Sequence, residues 1–339
     1  MKFALKDAVV VITGASSGIG QATAEAFARQ GCRLVLAARN SDALERVSQS
    51  CRRSGAEVAF ITADVTDIAS VKAVGEKALE FGTVDIWVSN AGVGAVGRFE
   101  ETPIQAHEQV IRTNLMGHIN DAYVAVPIFL RQGRGTFINM ISLGGFAAAP
   151  FATAYSASKF GLRGFAEALR AELADKPNIH ICDVYPAFVD TPGLHHGANY
   201  VGRKIKAPPP LLDARHVAAA IIDIARSPRA LTLVGSVSFA TRLAHILAPN
   251  MIARSFGRFA EMYFRRARRI ERSDGNLYAP SSDAPRIDGG LRSPHRQSTY
   301  VLAAAAIFGA AAGVVVAQKR WNAAAGWTRG LSRNERQRY

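Results

Sequence analysis

The sequence predicts an α/β protein: a doubly wound parallel sheet of about seven strands, followed by a C-terminal helical extension. Three observations predict it. Short β-branched apolar runs alternate with helical patterns of a dozen or more residues, and such alternation builds parallel sheets through right-handed crossovers. The first run passes straight into a glycine-rich turn with a helical pattern behind it. After Gly235 the alternation stops and helical spacing alone remains.

The first strand is read at Ala8–Thr13 (AVVVIT), an apolar run suited to burial on both faces of a sheet. Further strands are read at Arg33–Ala38, Glu57–Thr62, Asp85–Ser89, Gly135–Met140, Ile179–Val184 and Leu231–Gly235. Helices are expected near Gly18–Gln30, Asp42–Ser54, Ile68–Phe81, Thr153–Lys176 and Asp213–Arg226, with one long helix or two over Pro103–Arg131. Residues 1–235 therefore form the predicted catalytic domain.

Beyond it, over 236–272, Phe239, Leu243, Ile246 and Leu247, then Met251, Ile252, Phe256, Phe259 and Tyr263, recur at helical spacing across Pro249. Two amphipathic helices are expected, with an arginine-rich polar face turned to water, to a dimer partner or to an anionic membrane surface. Residues 273–299 are rich in Pro, Ser, Asp, Arg and Gly without periodicity. A flexible linker is expected there. Residues 300–318 carry no charge, and Val301–Ala317 is a run of small and apolar residues between Tyr300 and Trp321. At 1.5 Å per residue that run reaches about 26 Å, just short of a hydrocarbon core of roughly 30 Å. A membrane-associated or transmembrane helix is expected, followed by a basic tail over 319–339. The excess of Lys and Arg in that tail argues for the cytoplasmic side, the same side as the enzyme domain, which a single span would not allow.

The net charge of +14 invites a nucleic-acid reading, but the charge is local. Residues 1–235 hold 24 Lys and Arg against 21 Asp and Glu, leaving 17 against 6 after residue 235. No zinc spacing or RNA-binding aromatic pattern accompanies the basic end, so no nucleic acid is expected. Cys32, Cys51 and Cys182 make no metal spacing, and no leader precedes the first strand. A reduced, cytoplasmic catalytic domain without metal is expected.

The turn after the first strand reads Thr13-Gly14-Ala15-Ser16-Ser17-Gly18-Ile19-Gly20. Glycines between a strand and a helix let the backbone approach a pyrophosphate, whose charge suits the exposed N–H groups of the helix end. This run resembles the nucleotide loop of the short-chain dehydrogenase/reductase family, and further motifs follow in that family's order. Asp64-Val65 resembles its adenine contact, and Asn90-Ala91-Gly92 its turn after the fourth strand. Pro186 to Thr191, with Val189, resembles the segment beside the nicotinamide. Asn114, Ser142, Tyr155 and Lys159 resemble its catalytic tetrad. The resemblance covers about residues 5–235 and implies a Rossmann-like domain that binds a nicotinamide cofactor. Two departures stand out: Ser89 where the family usually has Asn, and Ala187 where it usually has Gly.

At the end of the second strand an NAD enzyme would place an acidic residue on the ribose, whereas this chain has Ala38 and then Arg39. A guanidinium there suits a 2′-phosphate, so NADP(H) is the expected cofactor.

Carbonyl reduction by hydride transfer needs a proton donor, and Tyr155 is the candidate general acid/base. Lys159 lies one helical turn on and would lower the phenol's pKa. The resemblance implies that Ser142 holds the substrate oxygen, that Lys159 also bonds the nicotinamide ribose, and that Asn114 holds a water relaying protons to Lys159. Singly, a Tyr and a Lys at this spacing are merely a helix face; the set in register with the nucleotide loop points to chemistry.

The apolar stretch Leu143–Ala154 and the long loop Phe188–Leu212 point to a small hydrophobic carbonyl or alcohol substrate. A homo-oligomer is expected. The competing reading is a non-catalytic NADP-binding protein tethered to a membrane for interaction. His195 and His196 lack a third ligand and read as surface residues or substrate contacts.

Overall fold

The computed structural model describes residues 3–292. Seven parallel strands form its main sheet: β1 (Val9–Thr13), β2 (Arg33–Ala38), β3 (Val58–Thr62), β4 (Ile86–Ser89), β5 (Gly135–Met140), β6 (Ile179–Pro186) and β7 (Leu231–Val234). Their spatial order is β3-β2-β1-β4-β5-β6-β7. The chain thus starts at mid-sheet, builds outward to β3, then crosses back to add β4 beside β1. A crevice at that reversal, outside the carboxyl ends of β1 and β4, is where such sheets bind ligands.

Period-two alternation divides the core. Val10, Ile12, Leu34 and Leu36 turn to one face, where they pack with α1 (Gly18–Ala28), α2 (Ser41–Arg53) and α7 (Ala214–Arg226). Val11, Val35, Trp87 and Phe137 turn to the other, against α3 (Ile68–Leu79), α5 (Gly117–Gln132) and α6 (Thr153–Glu172). Each large side chain removed from water here stabilises the fold by about 1.5–3 kcal/mol before the entropy of ordering is set against it. The three cysteines are free and buried among these layers. Burial pushes each thiol up to about 12.

The region expected as one long helix or two is α4 (Ile104–Ile111) joined to α5 through a π-helical turn, Arg112–Met116. Beyond β7, α8 (Ser236–Leu247) and α9 (Pro249–Arg266) flank Pro249. The Ser238 hydroxyl donates to Val234 O, and the Arg242 guanidinium lies 5.0 Å from the Phe146 ring centre. On α9, Phe264 packs edge-on against Phe151, and Glu261 pairs with Arg98 at 2.8 Å.

The segment expected as a flexible linker is different over 273–292. It has no helix, but it is docked: Leu277 is fully buried and Ile287 joins the core cluster that includes Val189 and Val217. Sequence periodicity carries no sign of this, because the docking uses backbone groups and isolated side chains rather than an amphipathic face. The remainder of that segment, the expected membrane helix and the basic tail lie outside the described residues. Among the described residues no helix is long and apolar enough to cross a membrane.

Candidate active site

The glycine-rich turn joins β1 to α1 in the crevice. Gly14 has φ +66°, and a β-carbon there would stand 2.7 Å from the Cα of Ala91. A β-carbon on Gly20 would stand 2.0 Å from the Gly14 carbonyl oxygen. Only glycine permits this close approach of loop to helix. Ser17 caps α1 without a side-chain bond, so the first N–H groups of the helix take acceptors from outside it, the Gly18 N–H donating to Arg286 O at 3.0 Å. These features fit a pyrophosphate at Ser16 to Gly20, with its charge at the positive end of α1.

Asn90 locks this loop. Its Nδ2 donates to Thr13 O at 3.2 Å and Gly14 O at 3.1 Å. Behind it, Thr13 Oγ1 and Ser89 Oγ both donate to Asp121 Oδ2, at 2.7 and 2.6 Å. Asp121 is fully buried, and desolvation pushes its carboxyl up to about 7 against the pull of those two hydroxyls. His118, one turn earlier on α5, bonds Asn139 Oδ1 at 2.6 Å and Ala91 O at 2.9 Å. Burial pushes its imidazole down to about 3, against the upward pull of those two bonds. Sequence reasoning missed Asp121, His118 and Asn139. For the first two the available signal was polar residues on the stripe of α5 that also carries Ala122, Ala125 and Phe129; Asn139 lies on β5.

Asp64 accepts from the backbone N and hydroxyl of Thr66. The Val65 carbonyl accepts from Asn120 Nδ2 at 2.8 Å, which orients the edge expected to meet the adenine. Ile19 packs against the core on the first turn of α1. Thr191 lies against Gly18, where a β-carbon would come within 3.2 Å of it. Pro186 ends β6, and Val189–Asp190 pairs in parallel with Leu212–Asp213. The segment expected beside the nicotinamide therefore closes over the α1 terminus.

Ser142 follows β5 with φ +132° and ψ +161°, a conformation that costs a non-glycine residue on the order of 1–3 kcal/mol. Its hydroxyl accepts from Gly144 N at 3.2 Å. A β-carbon on Gly144 would stand 3.7 Å from that hydroxyl and 3.0 Å from the Tyr155 ring, so the two side chains border one space. Burial raises the Tyr155 phenol above its ordinary value, and a hydrogen bond with Ser142 works against the rise. On the same face of α6, Lys159 is 5% exposed, and its Nζ donates to Met140 O at 3.0 Å. Desolvation pushes the amine down to about 7. The expected help from Lys159 to the phenol is therefore strongest below about pH 7, where the amine is charged. Its Nζ lies 5.8 Å from the Tyr155 ring centre.

Asn114 sits in the π-helical turn, a distortion that recurs at functional sites. Its amide accepts from Val93 N, donates to Val93 O and donates to Ser158 Oγ at 3.3 Å. Gly92 lies against it, with room for a β-carbon only at 3.4 Å from its Oδ1. Asn114 thus ties the turn after β4 to α6, directly behind Tyr155. Its amide is largely committed to protein partners.

Arg39 stands at the end of β2, but its guanidinium donates to Asn276 O at 2.6 Å and Leu277 O at 3.3 Å. Among the described residues neither His195 nor His196 belongs to a cluster of three or more candidate metal ligands; His196 Nε2 pairs with Asp283 at 2.8 Å.

Comparison with known proteins agrees with this fold. The model of the short chain dehydrogenase family matches residues 8–198. An uncharacterized oxidoreductase, YxnA, of Bacillus subtilis is 32% identical over 259 residues, spanning 74% of this chain and 71% of its own length. Dehydrogenase/reductase SDR family member 7 of mouse is 35% identical over 192 residues, 55% of this chain and 57% of that protein. Among solved structures, a short chain dehydrogenase/reductase from Burkholderia phymatum in complex with NAD has a TM-score of 0.66 at 29% identity. It covers 74% of this chain and 96% of that one. An alcohol dehydrogenase from Thermococcus sibiricus complexed with 5-hydroxy-NADP has a TM-score of 0.59 at 29% identity, covering 68% and 97%.

Proposed function

Because the chain belongs to the short-chain dehydrogenase/reductase family of oxidoreductases, we propose that it interconverts a carbonyl and an alcohol with NADP(H), using Tyr155 as general acid/base. One observation carries the reading: Ser142, held in a strained conformation, and the Tyr155 ring both border Gly144, where a β-carbon would stand 3.7 Å from Ser142 Oγ and 3.0 Å from the ring, and Lys159 follows one turn on along α6. A bound nicotinamide supplies the hydride in reduction and takes it in oxidation. The chain's own residues handle the oxygen. Ser142 holds the substrate oxygen by a hydrogen bond, and Tyr155 gives that oxygen a proton from its Oη as the carbonyl becomes an alcohol. Lys159, charged below about pH 7, favours the tyrosinate that remains. Asn114 steadies the helix behind them.

The glycine cradle and the α1 terminus take the pyrophosphate, and Arg39 supports NADP(H) over NAD(H), since no carboxylate stands beside it at the end of β2. A small hydrophobic substrate suits the surroundings. Leu143, Phe146 and Ala147 make the stretch after Ser142 apolar and buried, and Phe188 is exposed after β6. A screen of aliphatic, aromatic and steroidal ketones and aldehydes, read by loss of NADPH absorbance, tests this reading. Turnover with at least one class is expected. Cofactor binding with no turnover on any class would favour the non-catalytic alternative.

The extension supports contact with an anionic lipid surface. Phe239, Ile246, Leu247, Phe259 and Met262 are exposed on α8 and α9, alongside exposed Arg254, Arg258, Arg265 and Arg266. The chain is expected to sediment with phosphatidylserine vesicles in low salt. At 1 M salt the Debye length is about 3 Å, so the arginine share of that binding is lost. No sedimentation at low salt would rule the contact out.

A further inference from the structure

Residues 276–292 cross the whole cofactor crevice as a strap, and they use the groups that a dinucleotide would use. At one end the Asn276 and Leu277 carbonyls accept from Arg39, the residue read as the 2′-phosphate contact. The Ser281 carbonyl accepts from Asn40 at 2.8 Å. At the α1 terminus the Gly18 amide donates to Arg286 O at 3.0 Å. Ile287 then enters the core, and Gly289 N donates to Asp190 O at 3.2 Å. The far end is clamped by charge. Asp190 is 1% exposed, and its carboxylate accepts from the backbone N–H of Leu291 and Arg292 at 3.0 and 3.1 Å. Arg292 also reaches Asp213 at 2.6 Å and pairs with Asp288, which in turn meets Arg215 at 3.0 Å. Leu277 lies in the same apolar cluster as Val93, with Tyr155 packed at its margin.

Backbone carbonyls carry partial negative charge. At Gly18 and at Arg39 they satisfy donors placed for phosphate oxygens, and one strap supplies both. We propose that residues 276–292 are an intramolecular competitor of the nicotinamide cofactor, which binds by displacing the strap from Gly18 and Arg39. This inference rests on the cofactor reading above. It implies that apparent affinity is reduced by the fraction of molecules with the strap closed, and that whatever draws the strap away activates the enzyme.

Gly289 offers a clean lever. A β-carbon there would stand 2.6 Å from Asp190 Oδ1 and 2.7 Å from Thr191 O, so Gly289→Ala cannot seat the strap end. A second variant, Asp288→Asn, weakens the clamp without adding bulk. The measurement is the dissociation constant of NADPH for the full chain and both variants, by quenching of intrinsic fluorescence. Tightening is expected in both, about tenfold for Gly289→Ala if the strap is closed in nine molecules of ten. In parallel, amide hydrogen exchange of the unaltered chain should rise over 276–292 and fall at 14–20 when NADPH is added. Unchanged or weaker affinity in both variants, or slower exchange of the strap with NADPH, would overturn the proposal; slower exchange would mark a lid that closes on the cofactor. In those cases binding persists and the cofactor reading stands. If no nicotinamide cofactor binds the chain or either variant, the cofactor reading itself fails and the competitor with it.

Discussion

At the proton-handling end of the crevice, polar groups are tied to near neighbours: Ser142 to Gly144, Ser158 to Tyr155 and Lys159 to Met140. At the phosphate end, Arg39 and Asn40 are bonded to residues 237 to 241 positions away. The first arrangement is set once β5 and α6 form, because the strand end and the helix face fix the side chains relative to each other. The second depends on a segment without secondary structure of its own. Local stability differs within one structure in this way, with segments outside the sheet and its helices opening before the core strands. The contrast teaches that the chemistry is built in, whereas access of the cofactor to it is conditional.

The sharpest way to break that contrast is at the built-in end. Tyr155→Phe removes the phenolic proton and keeps the ring, so turnover is expected to fall at least about 100-fold with NADPH affinity close to that of the unaltered chain. A matching loss of affinity would mean that Tyr155 shapes the crevice instead of the reaction.

Arg39→Ala acts at the conditional end and cuts two ways. It removes the proposed 2′-phosphate contact, which is expected to weaken NADPH by about 1.5–3 kcal/mol, and it frees two strap carbonyls. NADH, which lacks the phosphate, feels only the second change, so its affinity should hold or improve. Equal weakening of both cofactors, read by fluorescence titration, would remove Arg39 from cofactor selection.

The smallest effect concerns the support beneath both ends. Asp121 has its carboxyl raised to about 7, above an unfolded value of about 3.9. The folded state therefore binds the proton more tightly. The resulting stabilisation is complete below about pH 4 and is lost as pH rises through about 7. Asp183, raised to about 6 by burial, adds a loss in the same direction. Asp121→Asn should reduce the fall in melting temperature between pH 5 and pH 8 without abolishing it. A variant with an unaltered pH slope would show that Asp121 is already ionised in the folded protein.

The sequence alone determined the sheet, its strand sequence and where most of the residues proposed for cofactor and proton handling stand on it. Each of those is written in a period or a spacing: β-branched runs in β1 and β2, glycines at 14, 18 and 20, and Tyr155 and Lys159 one helical turn apart. Local rules read such patterns because backbone geometry alone converts spacing into position. What only the tertiary structure decided is long-range and without period. Asp121 joins Thr13 to Ser89 from a helix more than a hundred residues after the first strand. The π-helical turn around Asn114 arises where that helix meets the β4 turn and α6. Residues 273–292 read as a linker by composition, yet Gly18, Arg39 and Asp190 bind them. Backbone carbonyls and amides are the same in every sequence, so which donors they find is fixed only when the chain has folded.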